Sequence, residues 1–126
     1  MPSARVGIFY YPWFATPRTD GRYAHWQQGS STPPANLASG FYPARGLYSS
    51  ADGLVVDAQM GEIAAAGIGT VIVSWWGRGS AEDRQLPQVV AAARAHVRAE
   101  VVRNTQPERS FIVSSVMHTS AHAPSA

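Results

Sequence analysis

Two apolar runs frame the informative part of this chain. The later one, Gly67 to Gly77 (GIGTVIVSWWG), sets the β-branched residues Thr70, Val71, Ile72 and Val73 between glycines, which predicts a strand buried on both faces, as in a parallel sheet. The earlier one, Arg5 to Phe14 (RVGIFYYPWF), is almost continuously apolar and predicts a second buried strand, stopped by Pro12. Between them Asp52 can cap a helix whose apolar stripe, Val56, Met60, Ile63 and Gly67, recurs at steps of four, three and four before the Gly67 stop. Strand, connection, helix and strand make a βαβ unit with parallel neighbours and both C-terminal ends on one edge. Tyr11, Trp13, Trp75 and Trp76 then share a rim, and that edge is where α/β folds bind ligands. Phe9 and Tyr10 read as core; Tyr11 and Trp13 fit either core or ligand contact.

The connection from Ala15 to Ser50 has no periodicity, yet it carries Tyr23, His25, Trp26, Phe41, Tyr42 and Tyr48, rings that a linker does not need. Aromatic faces beside hydrogen-bonding groups suit sugar recognition; the competing reading is a loop whose rings bury one another. Asp20-Gly21 is first a turn signature. A second helix is expected up to Val97, with Leu86, Val89, Val90, Ala93 and Val97 on one face. Its start is open between a Ser80/Asp83 capping box and a first turn around Pro87. Asp57 and Glu62 fall on a solvated face, and Glu82 and Asp83 suit a helix N-terminus rather than a catalytic pair. Past His96 only poor strand candidates remain, Ala99 to Arg103 and Phe111 to Met117, and Thr119 to Ala126 is expected to be disordered.

Composition narrows the possibilities. The chain has 126 residues, a charged fraction of 14% and a net charge of +2. Its basic residues are all Arg and stand singly, so no nucleic acid partner is expected. There is no Cys, which excludes disulfides and thiolate chemistry. No apolar stretch reaches the roughly 20 residues of a membrane span, so no membrane partner is expected, and no targeting signal is visible to fix a compartment. His118 and His122 have helical metal-pair spacing but no third ligand nearby; neither a metal nor a cofactor is expected.

Phe9-Tyr10-Tyr11-Pro12-Trp13-Phe14, Asp20-Gly21 with His25-Trp26, Phe41-Tyr42-Pro43, Leu47-Tyr48-Ser49-Ser50, Ala65-Ala66-Gly67-Ile68 and Val73-Ser74-Trp75-Trp76-Gly77 occur in an order and spacing that resembles the N-terminal part of the endo-α-mannosidase family, glycoside hydrolase family 99. The resemblance runs from Gly7 to about His96. It implies a (β/α)8 TIM barrel, of which this chain would supply the first two βα units. It also implies retaining hydrolysis of internal α-mannosyl linkages, as by an endo-α-1,2-mannosidase, with an α-mannose-containing glycan as partner. The resemblance places Trp76 against the sugar next to the cleaved bond, and Tyr11, His25 and Trp26 near the same cleft. The family's catalytic Glu-x-x-Glu segment on a late strand has no counterpart here, so no catalytic residue is assigned and the chain alone is expected to be inactive.

Nothing between Val97 and Ala126 matches the family's third strand, a His-Ile-Glu-Pro-Tyr type of segment. The expected organisation is therefore a partial barrel domain over 1–98 and an unmatched, poorly structured tail over 99–126, consistent with a truncated or frame-shifted reading of a longer gene. Two strands and two helices leave both sheet edges open, which predicts marginal stability and aggregation. The alternatives to an inactive hydrolase fragment are a small carbohydrate-binding module using Tyr11, Trp26 and Trp76, or an interaction domain whose partner is the missing remainder of the barrel.

Overall fold

The computed structural model describes residues 2–96, together with the backbone of 101–105 and 113–115. Strand β1 spans Ser3–Tyr10; a short helix α1 spans Pro17–Asp20, followed by α2 at Gly53–Ala65, β2 at Ile68–Trp75 and α3 at Ala81–His96. Strands β3, Val101–Thr105, and β4, Val113–Ser115, complete a four-stranded sheet ordered β1-β2-β3-β4. The first three strands are parallel and β4 is antiparallel to β3. The sheet thus holds more than the two strands expected, and it continues past residue 98. The weak candidates Ala99 to Arg103 and Phe111 to Met117 overlap β3 and contain β4; β3 fits the hydrophobic pattern poorly because Val101 and Val102 lead straight into Arg103-Asn104-Thr105. The expected disorder of 119–126 and the His118/His122 pair lie outside the described residues.

The βαβ unit forms for the reasons its sequence supplies. Asp52 caps α2, its carboxylate accepting from the Leu54 N–H at 3.0 Å. Gly67, at φ +80°, takes the left-handed turn after the helix, and its N–H donates to the Ala64 carbonyl. The chain enters β2 directly, where Tyr10 of β1 pairs with Val73 and Phe9 with Ile72. Strand β1 ends at Tyr10, not Phe14, and Pro12 lies buried in the turn beyond it. Ser80 rather than Pro87 sets the start of α3: its hydroxyl accepts from the Asp83 N–H, and Pro87 sits exposed inside the helix.

The core lies on one face only. Val56, Met60 and Ile63 from α2 meet Leu86, Val89 and Ala93 from α3 over Val71 and Val73 of β2. Ile8, Tyr10 and Trp75 extend this layer at its margins. Side chains alternate along a strand, so Phe9, Thr70 and Ile72 face the other way. Phe9 is 58% exposed there, and Thr70 and Ile72 are only half-buried. The expectation that β2 is buried on both faces is corrected: helices cover one face, and no layer covers the other among the described residues.

Among the described residues, a histidine–carboxylate contact and an ion pair tie the pieces together. The Asp57 carboxylate meets His96 at 2.7 Å, linking α2 to α3, and Glu62 meets Arg45 at 2.5 Å, linking α2 to the long loop. The acids expected to be merely solvated thus each hold a neighbour, although exposed pairs of this kind contribute at most about 1 kcal/mol.

Candidate functional site

The long loop is organised around Trp26, which retains only 2% exposure. Phe14 stacks on its ring at 4.2 Å, Tyr48 meets it edge-on at 5.2 Å, and its indole N–H donates to the Tyr48 carbonyl at 2.8 Å. Reciprocal bonds between Phe14 and Ser50 close the loop at its base, with the Phe14 N–H donating to the Ser50 hydroxyl and the Ser50 N–H to the Phe14 carbonyl. Burying these rings and satisfying the indole N–H explains how an irregular segment holds its shape. Trp26 is therefore a packing residue of the loop, with no ring face left for a ligand. Of the site residues expected from sequence, it is the one the geometry removes from the surface.

Tyr11 and Trp76 are held in the open, and His25 is half-buried. Tyr11 stacks on Trp13 at 4.7 Å, and Trp13 stacks on His25 at 4.4 Å with only 8° between the planes. This three-ring ladder stands just past the C-terminal end of β1, and Tyr11 is 44% exposed. His25 reaches its place with φ at +62°, a left-handed conformation that costs a non-glycine residue energy and is held by the surrounding packing. Trp76 follows the last residue of β2 on the same edge of the sheet, 53% exposed, with its indole N–H on the Ser74 hydroxyl at 3.1 Å. The adjacent Trp75 turns the other way, donating to the Asp83 carboxylate at 2.9 Å. One rim thus presents Tyr11 and Trp76 to solvent while Trp75 anchors the second helix.

Electrostatics at this rim centre on His25. Partial burial lowers its pKa below the ordinary 6.5, while the nearby Glu82 carboxylate works against that. The imidazole is consequently neutral at pH 7, able to donate from one nitrogen and accept at the other. Glu82 is only 6% exposed. It occupies the first turn of α3 on the same stripe as Leu86, Val89 and Ala93, and extending that stripe back by four residues would have located it in the sequence. Away from the rim, Tyr10 donates to Gln59 at 2.6 Å, and burial pushes its phenol pKa well up, as it does that of Tyr48.

The remaining described acids are engaged. Asp20 accepts from the Thr16 N–H, Asp52 caps α2, Asp57 meets the His96 ring, Glu62 is ion-paired with Arg45, and Asp83 accepts from Trp75 and from the Gly79 N–H. Glycoside hydrolysis needs two carboxyl groups flanking one bond, roughly 5–9.5 Å apart. Of the described acids, Glu82 is the one whose charge reaches the ring ladder, through His25. No group of three or more potential metal ligands occurs among the described residues. What the rim offers is flat ring faces beside a neutral imidazole and a buried carboxylate, an arrangement suited to stacking on and hydrogen-bonding a polar, uncharged ligand.

Comparison with known proteins bears on this site. The chain is 34% identical to the glycoprotein endo-alpha-1,2-mannosidase of Xenopus laevis, covering 68% of this chain and 23% of the relative. It is also 34% identical to the glycoprotein endo-alpha-1,2-mannosidase-like protein of Danio rerio, covering 72% and 26%. It thus spans about a quarter of the length of these curated relatives. Among solved structures, the GH99 endo-alpha-mannosidase of Bacteroides thetaiotaomicron in complex with BIS-TRIS-propane superposes with a TM-score of 0.73 at 28% identity, covering 85% of this chain and 31% of that one. A second structure of the enzyme gives 0.70 at 26% identity, covering 82% and 34%. The family model of Glycosyl hydrolase family 99 matches residues 27–111, running past His96, where the recognisable motifs stop. That match takes in most of the chain, including the later part of the aromatic loop and the Trp76 rim but not the Tyr11–Trp13–His25 ladder or Trp26, and the chain belongs to glycosyl hydrolase family 99.

Proposed function

We propose that this chain forms a sugar-contacting wall of an α-mannosidase barrel, built from its first two βα units, with Trp76, Tyr11 and His25 as its contacts to an α-mannose-containing glycan. The observation that carries this reading is the selective exposure of rings at the C-terminal edge. Trp26, Phe14 and Tyr48 pack on one another, whereas Tyr11 and Trp76 keep about half their surface where a barrel presents its active site. The sugar's apolar C–H face would lie on the Trp76 indole, and neutral His25 would exchange hydrogen bonds with hydroxyls. Trp26 acts at one remove, as the hub that keeps the loop and therefore His25 in place.

Retaining cleavage of internal α-1,2-mannosyl linkages is the activity proposed for the completed barrel, not for this chain alone. The carboxylate pair that the reaction needs would come from the remainder of the barrel. The chain by itself is thus proposed to bind without cleaving, which also accommodates the reading as a small carbohydrate-binding domain. Titration of the intact chain with α-1,2-mannobiose, followed by tryptophan fluorescence and by chromatography of the sugar, tests this. Saturable binding with the disaccharide intact is expected. Release of free mannose would contradict the proposed inactivity, and absence of saturable binding would contradict the sugar wall.

A further inference from the structure

A second cleft, separate from the rings of the rim, opens between α1 and the start of α2. Its volume is about 450 Å³, and Thr16, Arg18, Thr19, Arg45, Ser49 and Asp52 supply its polar wall. Tyr11, His25 and Trp76 do not border it.

Two of its hydroxyls are buried and only partly used. Thr16 is 9% exposed; its N–H donates to the Asp20 carboxylate and its carbonyl accepts from the Asp20 N–H. The Thr16 hydroxyl makes no capping bond to α1 and meets no hydrogen-bond partner among the described residues. Ser49, 2% exposed, accepts from the Ala51 N–H at 3.0 Å, and its own proton goes to no acceptor among the described residues. A hydroxyl carries one donor and two acceptor sites, and a buried donor left unmatched is unfavourable.

The charges in the wall point the same way. Two arginines stand there with one acid, Asp52, whose carboxylate is turned to the Leu54 N–H of its own helix. Arg45 gives one nitrogen to Glu62 at 2.5 Å and keeps the remaining N–H groups of its guanidinium. Arg18 is exposed and has no acidic partner among the described residues. Donors thus outnumber acceptors, so the matching ligand is rich in acceptor oxygens and negatively charged. A carboxylate offers two such oxygens. A phosphate monoester offers three, with close to two charges at pH 7, which suits three hydroxyls beside guanidinium groups. A cleft of this size also admits a small organic group on the ester oxygen.

We infer that the cleft between α1 and α2 binds a phosphate monoester or free phosphate, with Arg18 as the cationic contact and Thr16 and Ser49 as buried hydroxyl donors. The site shares no residue with the sugar-contacting rim and does not depend on that reading.

The test is calorimetric titration of the full chain at low salt with inorganic phosphate and, separately, with mannose 6-phosphate. Saturable 1:1 binding of at least one is expected. Arg18→Ala should weaken it at least tenfold. Arg94→Ala, which removes the same charge from an exposed position on α3, should change it by less than about twofold. A preference of tenfold or more for mannose 6-phosphate supports the site with a sugar-borne ester as its ligand; equal affinities support it with free phosphate. Broadening of the phosphate ³¹P resonance by the unsubstituted chain, unchanged when α-1,2-mannobiose is added, gives a readout that needs no variant. The inference is overturned by heats that do not saturate, by binding indifferent to Arg18→Ala, by equal losses in Arg18→Ala and Arg94→Ala, or by displacement of phosphate by mannobiose. Phosphate binding without mannobiose binding overturns the sugar wall and leaves this site standing; the converse does the reverse.

Discussion

On the helix-covered face of the sheet, Val71 and Val73 are wholly buried against Val56, Met60 and Val89, whereas on the other side Phe9, and at the rim Trp76, keep more than half of their surface. The closed face is apolar and the open one mixes Phe9 and Ile72 with Thr70 and Ser74, and they differ most in what this chain supplies to cover them. For the first, α2 and α3 bring complementary stripes within a short span of sequence. For the second, the described residues bring nothing. A parallel sheet is stable when both faces are covered, so the contrast identifies the open face as the side a barrel interior would occupy. It also separates residues that hold this chain together from residues that serve something outside it.

Substitutions can sharpen or break that division. Met60→Ala, in the closed face, should cost about 2–5 kcal/mol, the usual range for emptying a packed core site. Against a total stability of about 5–15 kcal/mol for a complete domain, and less for an open-faced one, this should abolish cooperative urea unfolding. A stability unchanged by Met60→Ala would remove the basis for treating that face as the core. Asp52→Ala removes the cap that seats α2 on the sheet and should cost about 1 kcal/mol, visible as a lower urea midpoint with an unchanged slope.

The pH response of the rim is smaller and has a definite sign. Burial holds the His25 pKa below 6.5, so the folded chain disfavours the imidazolium more than the unfolded chain does. Stability from this source is present above about pH 6.5 and is lost as pH falls through the lowered value. The His25 ring should therefore titrate below 6.5 by NMR, and Glu82→Gln should push it lower still. A titration above 6.5 would show that Glu82 outweighs desolvation.

Much of the closed face was legible in the sequence because periodicity and burial are linked there. The stripe of Val56, Met60 and Ile63, the Asp52 cap and the Gly67 turn each appear where local chemistry puts them. The rim was legible only in part. Trp26 and Trp76 each follow another ring, His25 and Trp75, and nothing local tells that one will be sealed between Phe14 and Tyr48 while the other stays open. That distinction depends on contacts between residues 14, 26 and 48, far apart in sequence. Strand β3 was only faintly legible, as the candidate Ala99 to Arg103 that overlaps it, for a related reason: three of its five residues are polar, and it pairs with β2 residue by residue.

The division between the two faces is tested most directly by Trp76→Ala, measured on one preparation for both urea midpoint and mannobiose affinity. An exposed ring with one indole hydrogen bond should cost about 1 kcal/mol or less in stability, while removal of the stacking face should lower affinity at least tenfold. A loss of several kcal/mol in stability with affinity unchanged would show that Trp76 belongs to the core, and the account of an open, sugar-facing wall would fail.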